Sequence, residues 1–229
     1  YLLFSSSKIF QSKNVHIDCL LQIGPNNIIF NQNDKDTLFI SYPLFCANQF
    51  YSPIIINSQK FEPTKERDDI IIQSEEIESE SYDSLINKFI LKESINIFGE
   101  MIKYIVANSF SDLYNLCIGL KKEYDDKQSF KKKFIEEMRF LILNSSVFET
   151  EFGLKNSNEI IIPYIKDFDD FDPRISYKEF YDLLSQIDFQ TKFIVTLKVS
   201  SQLQSLLWKD FPSKFGIENL FEFISKSNK

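Results

Sequence analysis

Several residue types on which folds and catalysis often depend are scarce in this chain of 229 residues. It has 1 His, 3 Cys, 5 Gly and 7 Pro. An odd and small number of Cys excludes a disulfide scaffold, and so little Gly and Pro excludes a collagen-like or flexible low-complexity chain. No apolar run approaches the roughly 18 residues that span a bilayer, so no transmembrane segment is expected. A hydrophobic content of 43% and a charged content of 26% are those of a globular protein.

The scarcity of His and Cys also limits the catalytic chemistry available to the chain. On the strand predicted below, His16 and Cys19 point to opposite faces and cannot form a local dyad. Zinc sites need three or four His or Cys ligands, and the few here are widely scattered. The phosphate-binding glycine loops of common nucleotide folds are absent. These absences favour a non-catalytic protein, while an enzyme built on carboxylates, Lys and Tyr stays an alternative.

The net charge of −7 is concentrated in one short segment. Residues 61–83 carry nine acidic and two basic side chains, and the rest of the chain is nearly neutral. Without a dominant basic patch the chain is a poor candidate for nucleic-acid binding, because neutralising phosphates supplies most of that affinity. Cys19, Cys46 and Cys117 lie in apolar company, which favours a reducing, cytoplasmic or otherwise intracellular compartment. The abundance of Ile, Phe, Lys and Asn indicates a low-GC genome.

Hydrophobic periodicity predicts an α+β fold. In residues 1–61, alternation over Asn14–Ile23 predicts a strand, and three shorter strands complete a small antiparallel β-meander. Residues 62–82 form an acidic connector that repulsion would extend. The alternatives are that Asp69–Ile72 pairs as an edge strand, or that the connector folds back on the basic patch at Lys131–Lys133. Residues 83–229 form a mainly helical domain, because apolar residues recur there at steps of three and four; this domain either stands alone or forms one compact unit with residues 1–61. The predicted shorter elements are the strands 28–30, 37–42 and 54–56 and the helices 109–124, 129–148 and 176–187, with 191–200 open between strand and helix.

An acidic segment near residue 170 is the strongest metal-binding candidate. Asp170 and Asp172 fall at the third and fifth positions of a calcium loop, and Glu179 falls at the bidentate twelfth position. This half of the segment resembles an EF-hand, and the resemblance implies Ca²⁺ held by these three carboxylates. Phe168 and Pro173 depart from the pattern, since the first position needs a ligand and the sixth needs Gly.

Two other interpretations of the same segment remain. Ser176 and Glu179 have the spacing of a capping box that begins a helix. This is the preferred interpretation, and under it the segment binds no cofactor. Alternatively, a metal-dependent enzyme would hold Mg²⁺ through one or two carboxylates and the substrate's phosphates. The carboxylates of that cluster are Asp167, Asp169, Asp170 and Asp172.

A second candidate site is a cluster of large apolar side chains near the end of the chain. Aromatic residues anchor interfaces because they bury much area with few rotatable bonds. Core packing is the competing interpretation. We therefore expect a non-catalytic interaction protein, a subunit or adaptor of a larger assembly whose partners are other protein subunits. The predicted partner-binding residues are Leu207, Trp208, Phe211 and Phe215.

Overall fold

The computed structural model describes residues 1–29, 37–40, 42–44, 52–73, 79–120, 130–164, 176–187, 189, 192–206, 211–216 and 218–220. An N-terminal antiparallel sheet is followed by helices, which confirms the α+β class. The chain divides into two units, Tyr1–Ile142 and Leu143–Lys229. The predicted boundaries at residues 61 and 82 stay a prediction. Among the described residues, no helix has both the length and the apolarity needed to cross a bilayer.

The N-terminal sheet has five strands in the order β1-β2-β5-β3-β4. Its antiparallel pairs are β1–β2, β2–β5 and β3–β4, and β3 runs parallel to β5. The outermost strand on one side is therefore the nine-residue β1. The strand bounds are β1 Leu2–Phe10, β2 Lys13–Leu21, β3 Leu38–Ile40, β4 Tyr42–Pro43 and β5 Ile55–Asn57.

The first two strands form a long hairpin that is closed by a two-residue turn. Gln11 and Ser12 have φ values of 43° and 66°, and two positive φ values are characteristic of the type I′ turn that matches strand twist. In β2 the alternation places one face in the core, where Val15, Ile17 and Cys19 are fully buried. The strand predicted over Asn14–Ile23 is thus confirmed, with bounds Lys13–Leu21.

The long helix α1, Tyr82–Ala107, packs beneath this hairpin. It begins where the Ser81 side chain accepts a hydrogen bond from the Ser84 N–H, which satisfies an otherwise unpaired helix-end donor. Its rings contact β1: Phe89 lies 4.8 Å from Phe10 between ring centroids. The helix predicted from the change of period at residue 83 is confirmed.

The next two predicted helices differ from expectation at one end each. Residues 109–124 were predicted to be helical, but a 3₁₀ helix begins only at Leu113 and covers Leu113–Leu120, while residues 121–124 lie outside the described residues. The reason is that Ser111 exchanges backbone hydrogen bonds with Asn26 and Ile28 instead. Of the predicted strand 28–30, Ile28 forms an isolated bridge with Ile23, its neighbour Asn27 forms one with Ser111, and residue 30 lies outside the described residues. Helix α2, Phe130–Asn144, ends before the predicted residue 148 because Phe148 begins the next strand.

The described part of the acidic connector is packed against α1 rather than extended. Asn87 of α1 is fully buried, and its amide bonds the backbone of Glu62 and Ile71. The side chain of Ile70 is also buried, and Lys131 of α2 forms an ion pair with Asp69. Repulsion among the acids is therefore outweighed here, because buried hydrogen bonds and an ion pair hold the backbone in place.

In its described residues, the C-terminal unit combines short strands with two α-helices. Strand β8 lies between β9 and β10, in parallel with both, and β6 pairs with β7. The segment 191–200, for which both strand and helix were predicted as possible, contains a short strand followed by the start of a helix. The hydroxyl of Thr196 accepts a hydrogen bond from the Val199 N–H where that helix begins. The bounds are β6 Phe148–Thr150, β7 Gly153–Lys155, β8 Ile160–Pro163, β9 Phe193–Ile194, β10 Lys214–Phe215, α3 Tyr177–Ser185 and α4 Leu197–Leu206, with a 3₁₀ helix at Ser157–Glu159.

Candidate functional site

The solvent-facing side of the β1–β2 hairpin holds a polar cluster of Ser5, Ser7, His16 and Asp18. The hairpin register places Ser5 directly opposite Asp18 and Ser7 opposite His16. Opposed side chains on one face of an antiparallel pair lie about 4.5–5.5 Å apart at Cβ. The short serine side chains therefore reach the larger groups across from them.

The cluster is connected by hydrogen bonds through His16. The Ser7 Oγ lies 2.9 Å from His16 Nδ1, and His16 Nε2 lies 3.0 Å from Asp18 Oδ1. Asp18 also accepts hydrogen bonds from Ser5 Oγ at 2.6 Å and from Asn57 Nδ2 at 3.1 Å. Strand β5 therefore contributes to the cluster through Asn57, and the carboxylate of Asp18 is its central acceptor.

The environment of Asp18 favours its ionised form. Partial burial opposes ionisation, but hydrogen bonds from Ser5 and Asn57 and the nearby charge of His16 outweigh it, so the pKa of Asp18 lies below its ordinary value. At neutral pH the hairpin thus presents a carboxylate in contact with Ser5, His16 and Asn57.

The contacts of this cluster are those of a serine, a base and an orienting acid, but its surroundings do not suit catalysis. Activating a serine depends on a water-excluded site with donors preorganised for the developing charge. The His16 side chain is 59% exposed on an open sheet face. The thiols of Cys19 and Cys117 are buried, and burial raises their pKa, which makes them poor nucleophiles. The geometry therefore favours binding over nucleophilic chemistry.

The outer edge of β1 is the second feature of this hairpin. In the two-residue turn the Phe10 carbonyl accepts from the Lys13 N–H, and these two residues are paired in register. Because antiparallel pairs alternate, the even-numbered residues of β1 bond β2 and the odd-numbered residues point their N–H and C=O groups outward. No strand in the described ranges pairs with this outer edge.

This edge has few of the features that normally keep edge strands from pairing. Proteins protect long edges with charges, Pro or bulges, and within β1 the only charged residue is Lys8. The polar cluster is flanked along β1 by two exposed aliphatic side chains, Leu3 at 56% and Ile9 at 77% exposure. An edge that is long, nearly uncharged and flanked by apolar groups is suited to bind another strand.

The predicted metal ligands are only partly within the described structure. Glu179 is in a capping box: its carboxylate accepts from Ser176 N–H at 2.6 Å, and its own N–H donates to Ser176 Oγ at 3.2 Å. These bonds hold the pKa of Glu179 below its ordinary value. Asp167, Asp169, Asp170 and Asp172 lie outside the described residues. Within the part of the chain that is described, no group of three or more potential metal ligands occurs, and the metal site stays a prediction.

The predicted partner-binding residues are divided in the same way. Phe211 is buried, with its ring 5.5 Å from that of Phe148 in an edge-to-face contact. Phe215 packs against the small core cluster that contains Phe180. Leu207 and Trp208 lie outside the described residues. Both described members contribute to packing within the C-terminal unit, and the interface assignment stays a prediction.

Sequence reasoning missed the hairpin cluster because it began the first strand at residue 14. The segment before it, Leu2–Phe10, does not alternate, since three consecutive serines occupy its centre, and Gln11 and Ser12 are not the residues typical of a two-residue hairpin turn. Pairing the segments across that turn places Ser7 opposite His16. Comparisons with protein-family models, curated sequences and solved structures found no match to this chain.

Proposed function

We propose that this protein is a non-catalytic interaction protein, a subunit or adaptor of a larger assembly, that binds its partner by strand addition to the outer edge of β1. The observation that carries the proposal is the nine-residue edge, flanked by exposed Leu3 and Ile9, with which no strand of the described residues pairs. In strand addition, main-chain hydrogen bonds supply affinity and alternate side chains supply specificity. Ser7 and His16 would then select the partner's side chains.

The buried side of the hairpin supports this function by making the edge rigid. The core face of β2 is fully buried at Val15 and Ile17, and β1 rests on α1 through Phe4 and Phe10. An edge held in a fixed conformation loses little entropy when a strand docks. Because Cys19 and Cys117 are free buried thiols, a reducing intracellular compartment is part of the same proposal.

The test removes one outward N–H from the edge. Ser5→Pro deletes a donor that points away from β2, and Ser5→Ala is the matched control that keeps it. Tagged full-length wild type, Ser5→Ala and Ser5→Pro are recovered from the cell of origin, and co-eluting chains are quantified by mass spectrometry after size exclusion. We expect a stoichiometric partner, either another protein or an untagged copy, with wild type and Ser5→Ala, and at least about tenfold less with Ser5→Pro.

Two results would count against the proposal. Equal recovery with all three chains would place the interaction elsewhere, and no stoichiometric partner for any of them would remove the interaction function. Circular dichroism and thermal unfolding of Ser5→Pro show whether the hairpin is intact. Amide hydrogen exchange of the wild-type complex is a test that needs no variant. Complex formation should protect the outward N–H groups of Leu3, Ser5, Ser7 and Ile9 from exchange.

A further inference from the structure

We infer that the partner at the β1 edge is a second copy of this chain, paired antiparallel to β1 about a two-fold axis at Ser6. The inference rests on the proposed function, since it names the partner for the same edge. Two-fold dimers are the commonest symmetric assemblies, and in them one surface patch must complement itself. The amino-acid sequence of β1 meets that condition.

The backbone groups of two β1 strands match in this register. With Ser6 opposite the second copy's Ser6, residues Leu3 and Ile9 oppose each other, as do Ser5 and Ser7. All four are odd-numbered and direct their N–H and C=O groups outward, so every such pair can exchange two hydrogen bonds. About eight intermolecular backbone hydrogen bonds would form along the strand, and one sheet would continue through both copies.

The exposed side chains match in the same register. Leu3, 56% exposed, would lie against the second copy's Ile9, 77% exposed, at both ends of the paired strands. Such cross-strand apolar pairs are the unit by which sheets are stabilised. A shift of two residues would instead place Leu3 opposite Ser7 or Gln11. The Ser6-centred register is therefore the one that covers both exposed aliphatic groups.

Charge also permits the self-pairing. The one charged residue of β1, Lys8, would oppose the second copy's Phe4 rather than its own counterpart. Like charges directly opposite one another destabilise a strand pair, and this register avoids them. Lys8 already lies 3.9 Å from Glu93 of α1, so its charge has a counterion within its own chain.

The experiment uses a charge swap on the full-length chain. Leu3→Lys with Ile9→Lys puts two cations opposite each other at both ends of the pair, whereas Leu3→Lys with Ile9→Glu puts opposite charges there. Both double variants change only exposed positions, so folding is expected to persist. Sedimentation velocity over a wide concentration range gives the dimer dissociation constant. We expect the Lys/Lys variant to dimerise at least about tenfold more weakly than wild type and the Lys/Glu variant to recover most of that loss.

Each outcome is decisive. Recovery by the Lys/Glu variant supports the Ser6-centred pairing. A monomeric wild type, a Lys/Lys variant that dimerises normally, or a Lys/Glu variant as weak as Lys/Lys overturns it. A monomer that nevertheless binds another protein through the edge, with loss in Ser5→Pro, would overturn this inference and leave the proposed function standing. If a double variant fails to fold, concentration-dependent amide protection at Ser5 and Ser7 in wild type decides the question, and its absence counts against the dimer.

Discussion

Two polar clusters in the N-terminal unit use similar groups in different surroundings. The cluster around Asn87 lies between α1 and the connector, with Asn87 fully buried and its partners Glu62 and Ile71 half-buried. The cluster around Asp18 and His16 lies on the open face of the hairpin, with the His16 side chain 59% exposed. A buried polar group that loses its partner bears the full desolvation cost, while an exposed polar group forms a hydrogen bond with water instead. Burial therefore makes the first cluster structural and leaves the second available to a partner.

The largest effect is expected from Asn87→Ala. The substitution leaves the N–H of Glu62 and the C=O of Ile71 without their side-chain partner, and the C=O of Glu62 keeps its hydrogen bond from the Ile71 N–H. At about 1–3 kcal/mol for an unsatisfied buried group, the free energy of unfolding should fall by about 3 kcal/mol. Urea denaturation measures it, with Asn96→Ala on the exposed face of α1 as the control. An equal, small effect of both substitutions would show that the buried amide is not structural.

The next effect is expected from Lys88→Met. Lys88 is nearly buried and lies 2.5 Å from the Glu80 carboxylate, so its loss leaves a partly buried charge unpaired. We expect a destabilisation of about 2 kcal/mol at neutral pH. Lys103→Met is the control, because its pair with Glu100 is solvent-exposed and should change stability by less than about 0.5 kcal/mol.

The pH dependence of Lys88→Met follows from Glu80. Burial opposes its ionisation, but hydrogen bonds from Lys88 and Ser84 and the charges of Lys88 and Lys92 outweigh it, so its pKa is lowered. A lowered folded-state pKa gives stability that is present above the ordinary value of 4.5 and is lost as pH falls through the folded-state value. The difference between wild type and Lys88→Met should therefore shrink below that pH. A constant difference down to the acid transition would contradict this account.

A smaller effect is expected from Asp18→Asn in the exposed cluster. The carboxylate loses its charge-assisted bonds with Ser5 and His16, and we expect about 1 kcal/mol of destabilisation at neutral pH. Since the pKa of Asp18 is lowered, this stabilisation is present above the ordinary value of 3.8 and disappears as pH falls through the lower folded-state value. Thermal unfolding of both chains from neutral to acidic pH checks this. A difference that grows on acidification would contradict the sign.

The smallest effect is expected from Ser7→Ala. Within the described part of the chain, its hydroxyl has a single side-chain hydrogen-bond partner, His16, and water can replace that partner at this exposed position. The free energy of unfolding should change by less than about 0.5 kcal/mol. A loss comparable to that of Asn87→Ala would mean that the two clusters do not differ in the way their burial indicates.

Some features of the candidate site could be predicted from the amino-acid sequence, and others could not. The alternation of β2 predicts that His16 and Cys19 lie on opposite faces, and the structure confirms it. The contact of Asp18 with Asn57 of β5 was beyond sequence reasoning. It joins residues 39 positions apart, and no local pattern encodes which strand lies next to β2.

Local periodicity and capping chemistry by themselves determined the α+β class, strand β2, helix α1 and the Ser176–Glu179 capping box. Each depends on interactions between residues a few positions apart, so the local amino-acid sequence is enough to predict it. Tertiary structure alone decided that Ser111 forms a hydrogen bond with the Asn26 backbone instead of joining a helix. It also decided that Asn87 holds, by hydrogen bonds, an acidic segment that charge repulsion would extend. Long-range hydrogen bonds outweigh local preference at both positions. At Ser111 they compete only with helix propensity, which is weak, and at the fully buried Asn87 an unsatisfied group would cost more than surface charge can return.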